Sequence, residues 1–101
     1  MLALMSDRRK TAAVVYDERL VFGYAGGMFK ADGQTIATAR TLTEMSNVLI
    51  MIDINKNPIQ IEDPQDFMRE LVGVYNEASM AYHHAIEEIN RLRSKEGITN
   101  V

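Results

Sequence analysis

The chain contains no cysteine, which excludes a disulfide framework, a thiolate nucleophile and cysteine-ligated zinc. It also lacks a basic excess. Its formal charge is −3, which argues against a nucleic-acid partner, since such binders carry clustered positive charge. No long apolar run is present either. Even runs such as Val48 to Ile52 fall far short of the ~20 residues that span a bilayer. The apolar Met1–Met5 stretch precedes its basic cluster, Arg8-Arg9-Lys10, the reverse of a secretory signal. These absences set the expectation of a chain with no membrane role, not secreted by a signal peptide, and cytoplasmic or part of an assembled particle.

What is present is ordinary for one folded domain spanning residues 1–101. The chain is 47% apolar and 25% charged, too apolar for disorder. A chain of this length buries about 65% of its unfolded surface, enough for one modest core.

The strongest local signal is a helix over about 63–96. Asp63-Pro64-Gln65-Asp66 supplies an N-cap, a proline at the first helical position and an acid in the first turn. Met68, Leu71, Tyr75, Ala78, Tyr82, Ala85, Ile89 and Leu92 follow at spacings of three and four, a heptad-like seam. The first half is apolar over a wide arc and suits docking on a sheet. The second half narrows, as for contact with another helix, and Ala78, Ala81 and Ala85 admit a close neighbour. Such a helix is about 50 Å long at 1.5 Å per residue, whereas a compact domain of this size is about 35 Å across. The helix should therefore overhang its own domain and meet a partner.

Upstream, the pattern reads as hairpins. Thr11–Tyr16 is β-branched and apolar, and with Leu20–Tyr24 it predicts a first pair. Asp32-Gly33 between short runs is a hairpin-turn signal. Thr35–Ser46 is ambiguous. Its threonines favour extended structure, with a helical turn near Thr43–Asn47. Ala39, Leu42, Met45 and Leu49 could instead form a helical face capped by Asp32. Val48–Ile54 and Ile59–Ile61 flank the turn Asn55-Lys56-Asn57-Pro58 and predict a further hairpin. Ile50, Ile52 and Ile54 are expected to face the core, with Leu49 and Met51 on the outside. The fold class read this way is α+β: a β-hairpin-rich N-terminal part packed by one long C-terminal helix.

The chemistry-bearing residues form no catalytic set. His83 and His84 pair with Glu87 and Glu88 at helical spacing, but two ligands each, facing away from the seam, are too few for zinc. Asp53, Glu62, Asp63 and Asp66 flank turns or caps rather than forming a calcium loop. Gly23-Tyr24-Ala25-Gly26-Gly27 is not a phosphate-binding loop, because no Lys-Ser/Thr follows it. Together with Thr11-Ala12-Ala13-Val14-Val15 it resembles fragments of the proteasome-like N-terminal-nucleophile hydrolases. The two pieces span about ten residues and lie too close together to carry that family's site. No catalytic residue, metal or cofactor is therefore expected. The expected function is that of a non-enzymatic structural or assembly subunit acting by self-association or within a larger complex, such as a phage-type virion or tail component. The alternative is a small acidic regulator that binds a cognate protein. Partner-binding residues are expected at Leu49, Met51, Tyr75, Tyr82, Ile86, Ile89 and Leu92, in a homo-oligomer.

Overall fold

Two turn-forming segments and three capped or packed helical stretches organise the chain. The structure, a computed structural model, describes the backbone of residues 2–97 and the side chains of residues 7–94. The order is α1 (Leu2–Arg19), β1 (Val21–Tyr24), β2 (Gly27–Lys30), α2 (Gly33–Met45), β3 (Leu49–Ile52), β4 (Pro58–Ile61) and α3 (Pro64–Gly97). The class is α+β, with two antiparallel hairpins packed by the long C-terminal helix.

The N-terminal third departs from the expectation of a strand. Thr11–Tyr16 lies inside α1. Arg9, Ala12, Ala13, Tyr16 and Leu20 are half-buried or buried, a three-and-four spacing that belongs to a helix. The helical penalty of a threonine and two valines is only a few tenths of a kcal/mol each, and packing outweighs it. Thr11 is thus mid-helix rather than at the start of a strand. The first hairpin forms one step later, with Val21 opposite Lys30 and Tyr24 opposite Gly27. Ala25 and Gly26 both have positive φ, 52° and 85°, the turn geometry whose twist matches paired strands.

Asp32-Gly33 is not a hairpin turn. Asp32 caps α2, and its carboxylate accepts from Thr35 N–H at 2.8 Å. Thr35–Met45 is therefore helical rather than extended. The fully buried Ala39 and the half-buried Ile36 and Leu42 supply the helical face that outweighs the threonines' β preference. The start of α3 is as expected: Asp63 accepts from Asp66 N–H at 3.1 Å and Phe67 N–H at 3.0 Å.

Phe67 then enters the centre of the core. Its ring lies 5.0 Å from those of Tyr24 and Phe29 and 6.4 Å from that of Phe22. Leu49, Met51, Ile61 and Leu71 complete the cluster. Gly27 is needed where the hairpins meet. A Cβ there would lie 2.6 Å from the Ile59 side chain.

The overhang of α3 exists, and α1 covers it. The helices run antiparallel, with Arg9 donating to Asn90 and the tilted rings of Tyr16 and Tyr82 5.0 Å apart. The molecule is accordingly elongated, 58 × 23 × 16 Å, with a radius of gyration of 17.9 Å against about 13 Å for a compact domain of this length. Among the described residues no helix is long and apolar enough to cross a membrane.

Two measurements follow from these local geometries. Ala25 bears a strained φ that asparagine tolerates, so Ala25→Asn should stabilise the protein by about 0.5–1 kcal/mol. The urea midpoint should rise at unchanged slope. Tyr24 donates to Asp66 at 2.8 Å, and burial, then this bond, pushes its phenol up to about 12. Because the folded pKa is raised, its contribution is complete below pH ~10. It is lost as pH climbs toward 12. A phenolate absorbance titration should show a step near pH 12 that Tyr24→Phe removes.

Candidate interaction surface

The second hairpin carries the surface, and one carboxylate orients it. Leu49 pairs with Ile61, Met51 with Ile59 and Ile52 with Pro58. At the turn, Asp53 is only 4% exposed. Its Oδ1 accepts from Asn55 and Asn57 N–H, both at 2.9 Å, and its Oδ2 from Met28 N–H at 3.0 Å. Three amide donors, Met28 and Asn57 foremost, hold its carboxyl below the usual carboxylate range against the opposing effect of burial. A backbone bond from Ile54 N–H to Met28 O at 2.9 Å runs beside it. The carboxylate thus latches the second hairpin's turn to β2.

An inward Asp53 decides which face of β3 is inward, because strand side chains alternate. Leu49 and Met51 are consequently buried, at 3% and 5% exposure. The expectation that they face a partner is corrected: they fill this chain's own core. Ile50, Ile52 and Ile54, expected in that core, are 56%, 58% and 48% exposed. Val48, two residues before Ile50, and Met45 at the end of α2 are exposed as well. No charged side chain interrupts the isoleucine row, and the neighbouring outward positions on β4 are Pro58 and Gln60. Beside this ridge runs an open groove of about 410 Å³, walled on its far side by Lys30, Asp32, Thr35, Thr38 and Leu42.

The helix residues expected at a partner contact fare differently. Ile89 is buried, and Tyr82, Ile86 and Leu92 are half-buried along the stretch of α3 that α1 covers. Ile89 is covered within the chain, Tyr82 packs against Tyr16 of α1, and Tyr82, Ile86 and Leu92 keep part of their surface exposed. The small Ala12 and Ala13 of α1 are half-buried, between the Arg9–Asn90 and Tyr16–Tyr82 contacts in sequence. Tyr75 alone of the seven lies on exposed surface, apart from the isoleucine ridge in sequence and on another element.

The histidines and two of the carboxylates that the sequence singles out are engaged locally. His83 Nε2 and His84 Nδ1 lie 3.5 and 3.7 Å from Glu87 on the exposed side of α3. Asp63 caps α3, and Asp66 binds Tyr24 and Arg69. Among the described residues no group of three or more potential ligands could hold a metal. The chain matches no family model, no curated protein and no solved structure, so the geometry alone carries the reading.

Sequence reasoning missed the ridge because both faces of β3 are apolar. The one available signal was Asp53 followed by Asn55 and Asn57. An aspartate that bonds the amide two residues on makes an Asx turn, and such a turn holds its carboxylate against the backbone.

The latch predicts a pH dependence. Its folded pKa is depressed, so its stabilisation is present above the unfolded value near 3.9 and fades as pH falls through the folded value. Asp53→Asn keeps one acceptor but turns an NH₂ toward amide donors. It should lower Tm at pH 7 by about 5–10 °C. The gap to wild type should narrow below pH ~4, as scanning calorimetry over a pH series would measure.

Proposed function

We propose that this chain is a non-enzymatic assembly subunit and that it works by burying the ridge from Met45 to Ile54 against protein. The observation that carries the reading is the exposure of Ile50, Ile52 and Ile54 together on one uncharged strand face. Single exposed apolar residues need no explanation, but a contiguous apolar patch marks an interaction site. Depletion of charge at the centre is also what distinguishes the core of a protein interface from the rest of a surface. An acidic regulator that docks by charge would place acids at its contact. This ridge holds none, so hydrophobic assembly is the better-supported of the two readings.

The half-exposed ridge can be changed without disturbing the core. Ile52→Lys should keep the wild-type circular dichroism spectrum and Tm within about 0.5 kcal/mol of stability. Sedimentation or light scattering of the wild-type protein should give a mass that rises with concentration above the 11.4 kDa chain, and Ile52→Lys should return it to the chain mass. A wild-type protein that stays at 11.4 kDa throughout, or an assembly that ignores Ile52→Lys, would defeat the reading.

A further inference from the structure

We infer that the occupant of the ridge is a second copy of this chain, turned by a two-fold axis so that each ridge lies in the groove beside the other. The inference rests on the assembly reading and specifies its partner and geometry.

Three features point to a copy. The first is shape. A two-fold interface must be self-complementary, presenting the same patch on both sides. Here the row of Ile50, Ile52 and Ile54 forms one wall of a groove whose other wall is formed by Lys30, Asp32, Thr35, Thr38 and Leu42. Convex and concave elements lie side by side on one surface, so a copy rotated by half a turn offers a groove to the ridge and a ridge to the groove. β3 then lies antiparallel to its counterpart, with Ile50 near Ile54 of the copy and Ile52 closest to the axis.

The second is charge. The chain carries a net −3, so two copies repel at long range, and a contact between them is favoured where no net charge gathers: the isoleucine row is uncharged, and the groove's Lys30 and Asp32 are of opposite sign. Among the described exposed apolar residues, Met45, Val48, Ile50, Ile52 and Ile54 are the group clustered in sequence around one strand, with Pro58 and Gln60 alongside. An oppositely charged partner would find nothing on the ridge to bind.

The third is area. Five apolar side chains that are 47–79% exposed offer on the order of 500 Å². Pro58, Gln60 and the groove wall bring the patch toward the ~800 Å² that each partner contributes to a standard interface. That suits an association that varies with concentration.

The absence of cysteine makes the test direct. Ile52→Cys introduces a single thiol beside the proposed axis. Met80→Cys places one on α3 at a residue 63% exposed and remote from β3 in sequence. Packed sheet faces lie about 10 Å apart, so a bismaleimide of that reach should join Ile52→Cys chains into a covalent dimer. The expected result is at least tenfold more dimer for Ile52→Cys than for Met80→Cys at equal concentration. Mixed Ile50→Cys and Ile54→Cys chains should also give more cross-linked dimer than either alone. If sedimentation shows a dimer but the cross-links do not discriminate, the two-fold geometry is wrong and the assembly reading stands. If both proteins sediment as 11.4 kDa chains and neither cross-links, self-association itself is wrong.

Discussion

The Asp53 carboxylate is the constraint on which the outer surface depends. Its three amide donors come from the hairpin's own turn and from β2, so it can be satisfied only if it points inward. A buried carboxylate without such partners is costly, and this one cannot be turned outward without breaking all three bonds and leaving Met28 N–H unpaired. Strand alternation carries that choice two residues at a time along β3 to Met51 and Leu49. The exposure of three isoleucines is thus a consequence of satisfying one polar group. Burying Ile50, Ile52 and Ile54 would have hidden at least as much apolar surface, at the cost of the connection between the hairpins.

That connection matters because neither hairpin could persist alone. Two-stranded hairpins are marginal in water, and here each has only four residues per strand. Phe67, projecting from the first turns of α3, touches Phe22, Tyr24 and Phe29 and belongs to the same buried cluster as Leu49, Met51 and Ile61. The Asp63 cap sets where that turn begins and so where Phe67 enters. The far half of α3 has a separate arrangement, a helix pair with α1 stapled by Tyr16 on Tyr82 and Arg9 on Asn90. The protein is therefore a small two-hairpin core with a helical handle, which accounts for its elongation.

Legibility in the sequence followed the strength of local signals. Asp63-Pro64 at the head of a long three-and-four spacing can be read only as a helix start. Asn55-Lys56-Asn57-Pro58 between alternating segments marks a turn, and its strands pair as that pattern requires. Thr11–Tyr16 reads as a strand and Thr35–Ser46 as ambiguous between strand and Asp32-capped helix, because β-branched residues shift the balance by only tenths of a kcal/mol. The neighbouring helix in one case, and the Asp32 cap with the buried Ala39 in the other, override so small a bias. The Asp32-Gly33 dipeptide serves a turn or a cap equally well, and only the residues that follow it in space decide. The overhang of α3 is legible from its length, but its cover is not, because Thr11–Tyr16 reads locally as a strand rather than as part of a helix that packs on it.

By itself, the chain's order of residues determined the α+β class, the long capped helix and the second hairpin. These depend on contacts within a few residues, on periodicity and on composition. Tertiary structure alone decided which face of β3 is inward and what covers the far half of α3. Both depend on groups distant in sequence: Asp53 reaches Met28, and Tyr16 reaches Tyr82. A strand with two apolar faces, and a helix whose stripe fits either a copy or its own chain, carry no local preference between the alternatives. The long-range polar bond and the antiparallel helix pair supply it.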